Sequence, residues 1–482
     1  MTLEALRAIW TPSFLTFVSP IVAAALGGPF GRLGRSGQRV AALIVLCGFS
    51  AGAYGAWQAP GSALTAITAV PGSLPPIGRL QILVVSMGGA LISIYHVLTK
   101  RDGEVAVIAS LVVAATSASA FAGDSLRVAG AGIHLAVLLV AMLMATERGD
   151  WQGGVAGTAY LTMASIGAIT LVAGFALADV QKVSPGGLVT DAFVVAVLST
   201  GFALSIGIVP LYFWVPSASQ RPGAGASMLA LAVVVPASLG LMLATLTALP
   251  QLSGPIASSH LLTIGGLLTA IFGAVGTLAP GRLRRRIGYA LMGNLGAVLL
   301  GFGTLTRIGV AGALVTLAHH CLVAIVLIGS ATEIETPPSA PDQALVDEDG
   351  IDSGLRLGVR PILIAREQGW VARGAFVLAA IAMSGVPPFG GFASRWAVMQ
   401  ALALSDWRLA FALGIASLAT TYALLVSVPG RRNVVGSRQS STRTERFLLV
   451  LSVVACLWGF LPGNILDVAH SATSQLTFLK PF

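Results

Sequence analysis

The sequence predicts an all-α polytopic membrane protein, and three observations predict it. Of its 482 residues, 55% are hydrophobic and only 10% are charged, with a mean hydropathy of +0.87. Soluble domains carry about 25% charged residues. The apolar residues also form runs long enough to cross a bilayer, which takes about 20 residues per helix. Finally, the basic residues gather on alternate connections between those runs, as cytoplasmic loops require. The formal net charge of +9 therefore reports loop topology, with the lipid bilayer as partner and no nucleic acid. Fifty-seven glycines suit close helix packing in lipid. Cys47, Cys321 and Cys456 lie singly inside apolar runs, so neither a metal site nor a disulfide framework is expected. The first apolar run lacks a cleavable-leader pattern and is expected to stay as a helix.

Measured against that length, about fourteen transmembrane spans follow in order. The first three lie near 14–31, where Pro20 and Gly27-Gly28-Pro29 shorten the run, 40–57 and 80–98. Spans 4–8 lie near 104–122, 127–146, 155–179, 190–216 and 226–248. Spans 9–13 lie near 260–280, 286–306, 309–331, 374–402 and 407–428, and the last near 446–464. Spans 7 and 12 are overlong and contain breakers: Gly207 to Pro210 in one, Pro387-Pro388 with Gly390-Gly391 in the other. Proline removes a donor and clashes with the preceding turn, so each is expected to be two half-helices around a break. Freed backbone groups at membrane depth are tolerated only inside protein or beside a wet cavity.

Twenty of the 28 Lys and Arg fall in odd-numbered connections and seven in the even ones and termini, leaving Arg395 inside span 12. That asymmetry puts the odd loops in the cytoplasm and both termini outside. The broken spans are five apart, and an odd offset inverts the second copy, so spans 4–8 and 9–13 read as inverted five-helix repeats. The expected organisation is a single membrane domain over 1–482: N-terminal helices in 1–103, a first repeat in 104–248, a second in 260–428, and a loop with span 14 in 429–482. Residues 332–352, the acidic part of a cytoplasmic loop reaching 373, hold seven Asp and Glu without a Lys or Arg. They read as a solvated linker, with a docking site for a basic partner as the alternative. The Arg- and Ser-rich stretch 429–445 reads as a cytoplasmic anchor loop.

Four motifs carry a family resemblance. Ile208-Val209-Pro210-Leu211-Tyr212-Phe213-Trp214-Val215-Pro216 resembles the Val-Pro-x-His-x-Trp-Leu-Pro signature of antiporter-like membrane subunits. These occur in respiratory complex I, in membrane-bound hydrogenases and in multisubunit Na+/H+ antiporters. Arg284 to Gly296 is similar to the family's Lys-Arg-x-x-Ala-Tyr segment, Ala318-His319-His320 to its Ala-His-Ala helix, and Ser384 to Trp396 to its Gly-x-Pro-Pro-x-x-Gly-Phe helix. The chain resembles the shorter members, which lack a long lateral helix. The family's mid-membrane Glu and Lys chain is what the resemblance makes relevant, and here it is depleted. The Lys positions of spans 7 and 11 are Ser205 and Val323, the span 10 His position is Asn294, and the His after the span 7 proline is Tyr212. Span 5 offers Ile133-His134 where a Glu is expected, with no carboxylate before Glu147. Span 12 keeps a base as Arg395, whose guanidinium stays protonated.

The ion-translocation candidates are therefore His319, His320, Arg395, His134, Ser205, Asn294 and Tyr212, with Pro210, Pro387, Pro388, Gly390 and Gly391 as helix-break residues. Each has a plainer reading beside it. Neighbouring residues on a helix point about 100° apart, so at most one of the two span 11 histidines faces a polar axis. The motif favours His319, leaving His320 a helix–helix hydrogen bond. His134 stands in for the lost acid or is a packed polar contact. Ser205 is a water-wire member or a backbone-bonding residue beside a kink. Arg284 to Arg286 are topogenic charge or a cytoplasmic access point.

What the resemblance implies is a membrane subunit of a complex I-like or hydrogenase-like assembly, in a bacterial-type inner membrane. It would take part in proton or sodium translocation coupled to electron transfer in partner subunits, among them a quinone-reactive or hydrogenase module. With no nucleotide loop, cluster ligands or haem motif, no cofactor is expected. Three other readings stand beside it: a membrane subunit of an inorganic-carbon uptake complex, a non-conducting spacer, and a stand-alone secondary transporter.

Overall fold

A computed structural model describes residues 12–31, 34–58, 76–99, 104–121, 126–147, 151–183, 190–249, 258–335, 370–428 and 442–460, with scattered residues between 469 and 479. All regular elements among them are helical: α1 (Pro12–Gly31), α2 (Gly34–Gln58), α3 (Pro76–Thr99), α4 (Glu104–Ala118), α5 (Leu126–Thr146), α6 (Trp151–Val183), α7 (Asp191–Ile206) and α8 (Trp214–Gln220). Then follow α9 (Ala224–Ala248), α10 (Ser258–Leu278), α11 (Leu283–Gly303), α12 (Arg307–Glu335), α13 (Trp370–Ser384), α14 (Phe392–Val426) and α15 (Thr442–Leu457). Eight described helices are long and apolar enough to cross a membrane. α14 is interrupted at Asp406 (φ −155°, ψ 108°). There the carboxylate accepts from the Arg408 amide at 2.9 Å and starts the second half, between the runs 374–402 and 407–428.

Burial sorts the helices. The apolar windows of α12 and α9 are 100% and 94% buried, whereas that of α10 is 33% buried. A helix apolar all round belongs in the centre of a bundle, and α12 and α9 form that centre. The second half of α14 instead exposes Trp407, Phe411, Ile415, Leu418 and Tyr422, which suits lipid contact.

The two breaks share one pattern. α7 ends at Gly207 (φ 83°) and α13 at Gly385 (φ 74°), a left-handed conformation that costs a Cβ-bearing residue about 1–2 kcal/mol. A cis peptide follows in each, Val209–Pro210 and Pro387–Pro388, and the chain re-enters a helix at Trp214 and Phe392. Each landmark of the second break lies the same number of residues after its counterpart: 207 to 385, 210 to 388, 214 to 392. The freed carbonyls are satisfied at matching places. Trp214 Nε1–H donates to Leu204 O at 2.9 Å, and the Gly391 amide to Ala382 O at 3.0 Å. Buried backbone is thus satisfied inside the protein.

Two loop readings change. The acidic stretch does not begin at 332, because α12 continues to Glu335 and uses its acids. Tyr95 Oη–H donates to Glu333 at 3.1 Å, and the Leu283 amide to Glu335 at 2.8 Å. Residues 336–369 lie outside the described residues, as do 429–441 of the basic loop, whose last residues belong to α15.

Candidate ion-translocation axis

The second break places Arg395 on the first turn of α14, where it is 5% exposed. Its guanidinium donates to Ser417 Oγ at 2.6 Å, to Met383 O at 3.2 Å and to Asn294 Oδ1. Ser417 comes from the other half of α14, Met383 from the end of α13 and Asn294 from α11, so one cation ties three elements together. A guanidinium only donates. The Asn294 oxygen must therefore face it, and the amide nitrogen must face away. That nitrogen meets His320 Nδ1 at 3.0 Å, and His320 Nε2 meets Leu231 O at 3.2 Å. The donor order is then forced throughout: Arg395 to Asn294, Asn294 to His320 Nδ1, and His320 Nε2–H to Leu231 O. His320 is held neutral as its Nε2–H tautomer.

Leu231 lies in a π-helical turn of α9, Ala230–Val234. Such turns loosen the ordinary ladder and are frequent at functional sites. The axis thus runs from the broken α13–α14 pair through α11 and α12 to an irregular turn of α9. Arg395 belongs to neither the His96–Glu147 nor the Arg127–Asp179 pair, and among the described residues no carboxylate neutralises it. Its charge is met by an amide, a hydroxyl and a carbonyl. Hydrogen bonds to a charged group are worth about 1.5–3 kcal/mol each, comparable to the roughly 3 kcal/mol cost of placing Arg at a helix centre in a bilayer. Beside Arg395 lies a narrow pocket that Ser384, Ser417, Thr420 and Thr421 help to line. The last three direct their hydroxyl protons to carbonyls of their own helix. They offer lone pairs to the pocket, and Arg395 Nε–H has no protein partner. Acceptors around the spare guanidinium donors suit water better than an anion.

The motif favours His319 for a polar axis, but the ring that joins Arg395 and Asn294 is that of His320. His319 turns to α15, with Nε2 3.2 Å from Ala455 O and its ring beside Trp458. Gly390 makes this approach possible, since a Cβ there would lie 1.9 Å from Ala455 O and 2.9 Å from His319 Nε2. The two rings diverge along the helix, His320 toward Asn294 and His319 toward Ala455.

Among the described residues the first break has no comparable network. Ser205 is buried beside Gly167 and its hydroxyl is unpartnered. His134 is half-buried with an unpartnered Nδ1. Tyr212 stacks on Phe213 and lies near Phe272 and Tyr289. No described hydrogen bond joins these three. By landmark spacing the counterpart of Arg395 is Ser217, and that of Ser205 is Met383. Arg284 is more than loop charge: it is 6% exposed and donates to Pro222 O at 2.8 Å and Ser227 Oγ at 2.7 Å. Arg286 donates to Ala279 O at 3.1 Å, just past the end of α10. Sequence reasoning missed Ser417, the Met383 carbonyl and the π-turn carbonyl of Leu231. None carries a motif; the only signal for Ser417 was a hydroxyl within one span of the break.

Fold and axis together define a polytopic helical membrane protein with a buried guanidinium–amide–imidazole chain beside a broken helix. The profile of the NADH:quinone oxidoreductase/Mrp antiporter transmembrane family matches residues 131–421, and the chain belongs to that family. It is 27% identical over 227 residues to a Na(+)/H(+) antiporter subunit of Alkalihalophilus pseudofirmus, a match spanning 46% of this chain and 42% of that protein. It is 24% identical over 363 residues to NADH-quinone oxidoreductase subunit N of Erythrobacter litoralis, covering 72% and 71% of the two chains. A chain in the Mrp complex from Dietzia sp. shares the fold, with a TM-score of 0.77 at 18% identity over 96% of this chain and 97% of that one.

Proposed function

We propose that this chain is a membrane subunit of a multisubunit assembly that takes part in proton or sodium translocation, with the working half at the second break. The observation that carries the reading is the Arg395–Asn294–His320–Leu231 chain: a buried cation on a broken helix, hydrogen-bonded across four helices. The family membership and the subunit relatives support other membrane subunits as partners. Coupling to electron transfer in a quinone-reactive or hydrogenase module belongs to the same proposal. So do a bacterial inner membrane and both termini outside. The matched landmarks of the two breaks support inverted units over 104–248 and 260–428 within about fourteen spans.

In this reading Arg395 is a fixed charge, because a guanidinium does not release its proton. A carboxamide does not relay protons either, so transfer cannot run through Asn294. Ion movement then passes beside it, along the hydroxyl-lined pocket next to Arg395. The same amide favours a second reading, a spacer that conducts nothing.

One measurement separates the two. In proteoliposomes holding the assembled complex, Arg395→Ala is expected to cut ion translocation tenfold or more while the subunits still co-purify. Arg395→Lys should retain part of it. Wild-type translocation by Arg395→Ala would overturn the conducting reading and leave the spacer.

A further inference from the structure

Each break is covered by a helix that follows it in the chain. Across the first lies α10, where Thr269 Oγ1 accepts from the Val209 amide at 3.1 Å and a Cβ on Gly265 would lie 3.3 Å from Ile208 Cγ2. Across the second lies α15. A Cβ on Gly459, just past its end, would lie 2.5 Å from both Pro388 O and Phe389 O. Cys456 Sγ–H donates to Leu378 O of α13 at 3.5 Å. The opposite side of α15 exposes Val450, Val453, Val454 and Leu457, so the helix stands between the irregular backbone and lipid. The 15 residues of α13 rise about 22 Å before that break, well inside a hydrocarbon core of about 30 Å. Irregular backbone at such depth must be buried in protein or face water.

One hydrogen bond sets the second cover apart. The last four carbonyls of a helix lack intrahelical donors, and α15 ends at Leu457, which puts Ala455 O among them. The buried His319 meets it from α12. A carbonyl only accepts, so His319 Nε2 carries the hydrogen, 3.2 Å away. Gly390 of the break fits between the two, since a Cβ there would strike both. The central helix, the break and α15 thus meet at one contact, one residue before the His320 that joins the Arg395 axis. We propose that α15 closes the second break and that His319 is the positioning residue that holds it closed. Without the imidazole, Ala455 O is a buried acceptor with no donor. The end of α15 then lifts, and water enters between Cys456 and Leu378. That the closure guards translocation rests on the conducting reading of the second half; the closure itself does not.

The test reads water entry at Cys456 with N-ethylmaleimide on the assembled complex in lipid nanodiscs. Peptide mass spectrometry separates Cys456 from Cys47 and Cys321. Cys456 is 8% exposed, so wild type should label slowly. His319→Leu should label about tenfold faster, the factor given by losing one hydrogen bond of ordinary strength. His319→Gln, which keeps a donor near the place of Nε2, should stay close to wild type. Gly207→Ala, destabilised at the other break, should not speed labelling. A wild-type rate in His319→Leu, or equal acceleration in His319→Gln or Gly207→Ala, would each overturn the closure. If His319→Leu does not assemble, Gly459→Ala decides by the same readout, because its Cβ pushes α15 off Pro388 and Phe389. Passive ion leak in proteoliposomes of the complex should rise together with labelling in His319→Leu. Faster labelling without leak would leave the closure standing and count against conduction beside Arg395, so the two proposals fail separately.

Discussion

Asn294 is the residue on which the second half turns, because it accepts from a cation on one side and donates to an imidazole on the other. Replacing it with Leu would leave Arg395 short of an acceptor and His320 Nδ1 without a donor in a buried site. Breaking a buried charged network in this way costs about 3–5 kcal/mol. Asn294→Leu is therefore expected to lower the melting temperature of the detergent-solubilised protein markedly. Asn294→Asp should lower it less, since the acceptor for Arg395 survives. Equal melting temperatures for the two would mean that Arg395 does not depend on this oxygen. The sequence marked position 294 as a lost histidine but could not show it as a hub. What makes it one is the meeting of α11, α12 and α14, and no local spacing encodes that meeting. The choice of His320 over His319 was hidden for the same reason: periodicity says the two rings diverge, and only packing says which one meets the axis.

At the scale of elements, the breaks were the most legible feature of the chain, because proline and glycine act through the backbone itself. The sequence placed both interruptions, and the structure adds that their landmarks correspond one for one. It could not show the π turn at Ala230–Val234, where an ordinary run of Ala, Leu and Val carries no breaker. The paired breaks give a prediction with an internal control. Ala at Gly207 or Gly385 meets the same left-handed backbone, at about 1–2 kcal/mol each, so both variants should melt earlier. A Cβ at 207 would strike Val215 at 2.3 Å, whereas one at 385 would press on Arg395 at 3.0 Å. Gly385→Ala should therefore reduce ion translocation beyond its effect on stability, and Gly207→Ala should not. Equal translocation losses at equal melting temperatures would remove the distinction between the halves.

Over the whole molecule, α9 connects two polar regions. Its first turn is held by Glu147, and its π turn receives His320. Composition and span counting made the all-α membrane bundle legible from the outset. They could not reveal this strut, since it depends on side chains from α3, α5 and α12 reaching one buried helix. The acid-side stability of the protein should report on it. Burial alone would push the Glu147 carboxyl up, but His96 and the amides of Ala226 and Gly225 outweigh that and hold it below the usual carboxylate range. A carboxyl held low in the folded state contributes stability that is fully present above its unfolded pKa. That contribution is lost as pH falls through the lowered folded value. Melting curves of wild type and Glu147→Gln should therefore differ most at neutral pH and converge toward strongly acidic pH. Hydrogen exchange gives the same prediction locality: at neutral pH Glu147→Gln should speed exchange in 224–230 and leave the centre of α12 protected. Melting curves that stay parallel down to strongly acidic pH, or exchange that rises evenly along the chain, would show that Glu147 does not anchor α9.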